Sequence, residues 1–137
     1  MHRCIISLAA NCNQKKNLAE ARLRLSQILF NTQYTKELWT APVGSAHLQQ
    51  PSAPVTTHSD CQYLNQLVYA QTELSCSELE HALKATECAM GRSDADRRHG
   101  IVRIDLDLLR YDETLHHLQD WSRAYIKDLL SEEVEHQ

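Results

Sequence analysis

The chain has 137 residues, room for one core but not for two, because each half would fall near the size at which burial no longer offsets chain entropy. Hydrophobic residues make up 42% and charged residues 23%, with three glycines and three prolines, which excludes collagen-like, low-complexity and disordered classes. A formal charge of −4 gives no overall basic field, so nucleic acid is not an expected partner.

Uncharged apolar runs such as Cys4 to Ala10 fall far short of the roughly 20 residues that span a bilayer, so no membrane is expected either. The N-terminus lacks the long apolar segment and small-residue cleavage site of a secretory signal, and the chain reads as soluble and cytoplasmic. Its five cysteines, Cys4, Cys12, Cys61, Cys76 and Cys88, are an odd number with no Cys-x-x-Cys pair, and read as reduced thiols packing as small hydrophobes.

In chain order, Cys4 to Leu8 is apolar and β-branched, which suits a buried strand. From Asn13, a possible cap, apolar residues at Leu18, Ala21, Leu25, Ile28 and Leu29 mark an amphipathic helix of about five turns. Tyr34 to Thr40 reads as one strand, broken by Ala41-Pro42-Val43-Gly44. Residues 45–60 form a polar loop that is long for a compact domain, and an ordered functional loop and a mobile insertion fit it equally. Tyr63 to Glu73 alternates as a strand.

Ser77 and Glu80 are spaced as a capping box for a second helix, with Leu79, Leu83, Thr86 and Met90 at helical period and Gly91 just past its end. Residues 92–100 are too polar for core and read as a loop. Ile101 to Leu109 is the clearest strand, and a helical stretch from about Leu118 to Leu130 closes the chain. The order β-α-β-β-α-β plus a C-terminal helix predicts an α+β, ferredoxin-like sheet within a single domain spanning 1–137, with helices on one face and the other open for a ligand or partner.

Alternation in the last strand places Val102, Ile104, Leu106 and Leu108 on one face and Arg103, Asp105 and Asp107 on the other. Carboxylates two residues apart in a strand, roughly 6.5–7 Å between α-carbons, can share a metal or bracket a pair of ions. Oxygen donors favour Mg²⁺, which usually arrives with nucleotide phosphates. Asp is a poor strand former, yet it occurs twice here, after a loop carrying Arg92, Arg97 and Arg98, cations suited to clamping phosphates. With no Gly-x-x-x-x-Gly-Lys loop, phosphate chemistry has to rest on metal and arginines. Read without a ligand, the same carboxylates would only solvate an exposed sheet face.

Several runs resemble one family. Glu87 to Arg92, the thirteen-residue step from Arg92 to Asp105, and Ile104-Asp105-Leu106-Asp107-Leu108-Leu109 are similar to 6-hydroxymethyl-7,8-dihydropterin pyrophosphokinase of folate biosynthesis. So are Ser7 to Asn11, Trp39 to Gly44 and Tyr63-Leu64-Asn65, all in the family's order. The resemblance implies a ferredoxin-like fold and a reaction in which a pterin hydroxymethyl oxygen attacks the β-phosphorus of ATP, releasing AMP. It implies two Mg²⁺ ions on Asp105 and Asp107, and a pterin pocket lined by Asn11, Thr40, Val43, Tyr63 and Asn65. It puts Lys84, Glu87, Arg92, His117 and Arg123 on the nucleotide side.

The sequence departs from the family's pattern at four positions: Ala9 replaces a first-loop glycine, Asp94 and Val102 replace basic residues, and His99 replaces an aromatic. His116 stands where the family usually has Pro. Arg103, on the face of the aspartates, could supply the cation that Val102 does not, beside Arg92 in a catalytic role, and Arg97 and Arg98 could close over ATP. The expectation is an active, divergent enzyme with ATP and a reduced pterin alcohol as small-molecule substrates. The alternatives are a relative that binds pterin or nucleotide without turnover, and a ferredoxin-like homodimer with no small-molecule role. Oligomeric state is left open by the sequence.

Overall fold

The computed structural model describes residues 1–41, 62–91, 93–116 and 126–127, and within these all side chains but that of Arg97. Strand β1 (His2–Ala10) is central, and its even residues Cys4, Ile6, Leu8 and Ala10 are buried. It pairs antiparallel with β4 (Tyr63–Thr72) on one side and β5 (Asp105–Tyr111) on the other. Strands β2 (Phe30–Tyr34) and β3 (Leu38–Thr40) both pair with β4, and β6 (Thr114–Leu115) pairs with the end of β5. The order β2-β4-β1-β5-β6, antiparallel throughout, is the ferredoxin-like α+β arrangement expected from the sequence.

Helices α1 (Gln14–Leu25) and α2 (Cys76–Ala89) cover one face. Leu18, Ala21 and Leu25 from α1 and Leu79 and Leu83 from α2 meet the even residues of β1 and Leu64, Val68, Leu106 and Leu108, forming the main core. No described helix is long and apolar enough to cross a membrane.

The second face is not wholly open. Ile5, Leu67 and Leu109 form a smaller cluster with Ile126, itself fully buried, which belongs to the helical pair Ile126–Lys127. The rest of the predicted C-terminal helix lies outside the described residues, as does the loop at 45–60.

Several boundaries shift, each for a local reason. Helix α1 ends at Leu25, not Leu29, and the Ile28 carbonyl accepts from Thr72 Oγ1 at 3.1 Å. Tyr34 to Thr40 is two strands. Between them Thr35 Oγ1 accepts from the Leu67 amide at 3.0 Å, while Glu37 ion-pairs with Lys15 and Arg22. Burial alone would raise the Glu37 pKa, but hydrogen bonds and charge from those two cations outweigh it and hold the carboxyl below its usual value. Residues 94–98, read as loop, form the short helix α3 (Asp94–Arg98), with Ser93 Oγ accepting from the Asp96 amide at 3.1 Å.

The capping box of α2 is Ser75 with Glu78, not Ser77 with Glu80: Ser75 Oγ accepts from the Glu78 amide at 3.1 Å and Glu78 Oε1 accepts from the Ser75 amide at 2.9 Å. Ser75→Ala is therefore expected to cost about 1 kcal/mol in urea unfolding, whereas Ser77→Ala, past the cap, should change little. At the other end Gly91 takes φ +103°, and a Cβ there would sit 3.2 Å from Arg103 Cδ. The glycine predicted just past the helix end is thus favoured by its left-handed dihedral, and a side chain there would also have to displace the arginine stem slightly.

Candidate active site

The odd residues of the three central strands point to the second face, and their register sets the site. Ala9 pairs with Asn65 on β4 and Asp105 on β5; Ser7 pairs with Leu67 and Asp107. A row Asn65–Ala9–Asp105 therefore crosses the sheet beside a row Leu67–Ser7–Asp107. On the far side of β4, Leu38 lies opposite Asn65 and Thr40 opposite Tyr63. Ala9, expected in a tight loop, lies in strand β1 between Asn65 and Asp105.

Asn65 is 3% exposed and its Nδ2 donates to the Leu38 carbonyl at 3.0 Å and to Thr40 Oγ1 at 2.8 Å. Its Oδ1 accepts from no described residue. Tyr63 is half-buried; burial first, and the Asp105 carboxylate second, push its phenol above the usual value. That second cause places the phenol within electrostatic reach of Asp105. Asn65, Thr40, Tyr63 and Asp105 thus belong to one end of one sheet face.

Asp105 and Asp107 are both partly exposed on adjacent odd positions of β5. Two carboxylates side by side on a rigid strand, offering only oxygen, suit a hard divalent cation. On the outer side of Leu106 no described strand pairs with β5, which meets β6 only at Arg110 and Tyr111; there Glu87 Oε2 accepts from the Leu106 amide at 2.7 Å. Glu87 is 3% exposed and takes the third place in the buried stripe Leu79, Leu83, Glu87 of α2. It fixes the backbone between the two aspartates. The nucleotide-side reading of Glu87 missed this contact, and the signal for it was a carboxylate at the i, i+4, i+8 position of an inward stripe.

Two hollows flank the aspartates. A groove of about 350 Å³ between α2 and β5 is lined by Glu80, Lys84 and Asp107 among others, bringing Lys84 to the side of Asp107. A cleft of about 120 Å³ is lined by Ser93, Gly100, Val102, Arg103 and Asp105. A wider hollow of about 800 Å³ lies at the opposite end of the sheet, around Arg3, Tyr69 and Arg110. None of the site residues expected from the sequence, among those described, lines it, so it is set aside as the candidate site.

Arg103 precedes β5, so the strand alternation expected to put it on the face of the aspartates does not reach it. Its Nε donates to Asp96 Oδ2 of α3 at 2.6 Å, and its stem packs against Gly91, although it still borders the cleft with Asp105. Arg98 is exposed at the end of α3. Asn11 is 7% exposed and spends its amide on the chain itself: Oδ1 accepts from the Val102 amide at 2.6 Å and Nδ2 donates to the Gly100 carbonyl at 2.8 Å. It latches the 100–102 segment to the end of β1. Asn11→Ala is expected to cost about 1–3 kcal/mol in urea unfolding, and to speed hydrogen exchange at the Val102 amide, by leaving buried backbone groups unpaired. Val43, Arg92, His117 and Arg123 lie outside the described residues.

With this geometry in hand, comparison with known proteins gives a consistent answer. Residues 5–134 match the sequence model of the 7,8-dihydro-6-hydroxymethylpterin-pyrophosphokinase family, and the chain belongs to that family. It is also similar to a "Folate synthesis bifunctional protein, mitochondrial" of Pisum sativum, at 36% identity over 83 residues. That match covers 55% of this chain and 16% of the pea protein, so the chain spans a small part of its relative.

Proposed function

We propose that this chain transfers diphosphate from ATP to the hydroxymethyl oxygen of 6-hydroxymethyl-7,8-dihydropterin. The alcohol O–H gives up its proton, a bond forms from its oxygen to the β-phosphorus, and the bridging bond to the α-phosphate breaks, so AMP leaves. The observation that carries the reading is the strand register that sets Asn65, Ala9 and Asp105 in one row, with Tyr63 in reach of Asp105.

In this reading Asn65 and Thr40 bind the edge of the heterocycle and Tyr63 covers its face. Val43, which falls outside the described residues, and Asn11, by its hold on the 100–102 segment, complete the pocket. Asp105 and Asp107 would hold two Mg²⁺ ions, which, when bound, neutralise the triphosphate and polarise the phosphoryl oxygens. Lys84, on the groove beside Asp107, meets the nucleotide, and Glu87 keeps the strand between the aspartates in place. Arg92, Arg98, His117 and Arg123 complete the nucleotide side. Catalysis then consists of positioning and charge stabilisation, as phosphoryl-type transfer requires. The free thiols Cys4, Cys12, Cys76 and Cys88 suit a reducing compartment such as the cytoplasm.

A second reading, a pterin or nucleotide binder without turnover, is favoured by one observation: the Arg103 guanidinium is held by Asp96, and the position before it is Val102, which carries no charge. Quantifying AMP with ATP, Mg²⁺ and the pterin alcohol separates the two. The enzyme reading requires AMP only when all three are present. Calorimetric binding of the same ligands with no AMP would establish the second reading instead.

A further inference from the structure

A second cluster of ligating groups lies towards the start of α2, on side chains given no role in the reaction, although one of them, Glu80, also borders the α2–β5 groove. Cys76 is the first residue of α2 and Glu80 stands one turn later on the same face. His116, just past β6, faces both: its Nε2 is 3.7 Å from Cys76 Sγ and its Nδ1 3.9 Å from Glu80 Oε2. One ligand atom from each lies within 4.8 Å of the other two, and all three residues are partly buried.

Their backbones are fixed independently of any ligand. The Tyr111 hydroxyl donates to the Leu74 carbonyl at 2.7 Å, anchoring the approach to α2, and the His116 amide donates to the Leu109 carbonyl at 2.8 Å. Ligand atoms arranged tetrahedrally around a zinc ion about 2.0–2.3 Å away stand roughly 3.3–3.8 Å from one another. A single ion takes only one nitrogen of the imidazole, and with one atom from each residue the three lie within 4.8 Å of one another, up to about 1 Å wider than a loaded site, a gap that side-chain rotations close.

We infer that Cys76, Glu80 and His116 bind one Zn²⁺ or similar borderline divalent ion, with a water in the fourth position, stapling the first turn of α2 to the chain beyond the β5–β6 hairpin. A thiolate, an imidazole and one carboxylate select such an ion over Mg²⁺, so this site and the paired aspartates sort their metals by donor type. Metal binding here ties together two segments distant in sequence and stabilises the folded chain by mass action. The inference is independent of the pyrophosphokinase reading.

The test uses the full chain, stripped with chelator and titrated with Zn²⁺ by calorimetry and with Co²⁺ by absorption. The expected results are one equivalent of Zn²⁺, a thiolate-to-cobalt charge-transfer band with intense four-coordinate visible bands, and a metal-dependent rise in Tm that Mg²⁺ does not reproduce. Loss of an outer partner typically weakens a metal site 10- to 100-fold, so Cys76→Ser and His116→Ala should each cost about 100-fold or more. Cys88→Ser, at an exposed cysteine, should leave affinity unchanged. The inference is overturned if no stoichiometric site exists, if the cobalt spectrum lacks the sulfur band, or if either variant binds as tightly as the parent.

Discussion

Asp105→Asn and Asp107→Asn are each expected to lower the rate of AMP formation by about 10²–10³-fold, with little change in the urea midpoint. The magnitude is that of removing one preorganised electrostatic group from a transition state in which charge is redistributed over phosphates. Both side chains are partly exposed, and strand β5 is held by its backbone pairing with β1 and by Glu87, so the fold should survive. An amide keeps the size of the carboxylate and removes its charge, which isolates the electrostatic contribution. Assaying both variants alongside the parent at saturating ATP and pterin measures it. Losses of less than about tenfold in both would mean that the aspartates do not hold the metal.

The second large effect is expected at a residue that need not touch substrate. Glu87→Ala leaves the Leu106 amide, on the side of β5 away from β1, without its acceptor and opens a gap in the buried stripe of α2. A buried unsatisfied donor costs about 1–3 kcal/mol, so the urea midpoint should fall, and AMP formation should fall with it as the strand between the aspartates loosens. Glu87→Gln retains an acceptor oxygen of the same reach and should recover most of the stability. If the glutamine variant proved as unstable as the alanine one, the negative charge, not the hydrogen bond to Leu106, would be what Glu87 contributes.

The residues that define the sheet were readable because their signals are local. The apolar β-branched run of β1, the alternation in β4 and β5 and the helical spacing of Leu18, Ala21 and Leu25 mark the elements and most of their faces, and the order of elements then leaves few topologies. The row Asn65–Ala9–Asp105 follows from those periods once the strands pair. What was not readable depends on partners far along the chain. Two overlapping Ser-x-x-Glu pairs stand at the start of α2, and which one caps the helix is settled by where Leu79, Leu83 and Glu87 must face.

The break between β2 and β3 depends on Thr35 bonding to Leu67, 32 residues away. Arg103 looked like a catalytic cation because the strand, read from Ile101, was extended four residues too far towards the N-terminus; the partner that claims it, Asp96, lies on a helix that composition alone marked as loop. The coverage of the second face by Ile126 joins residues from four separate segments and has no local signal at all.

The central claim is that one end of the second sheet face holds both substrates, with Asp105 and Asp107 at the phosphates and Asn65, Thr40 and Tyr63 at the heterocycle. A crystal structure of the chain with Mg²⁺, the non-transferring analogue α,β-methylene ATP and 6-hydroxymethyl-7,8-dihydropterin tests it most directly. The account predicts metal density shared by Asp105 and Asp107, the ring bonded to Asn65 Oδ1, and the hydroxymethyl oxygen turned towards the β-phosphate. Ligands seated in the hollow around Arg3 and Arg110, or aspartates bearing no metal while nucleotide is bound, would contradict it.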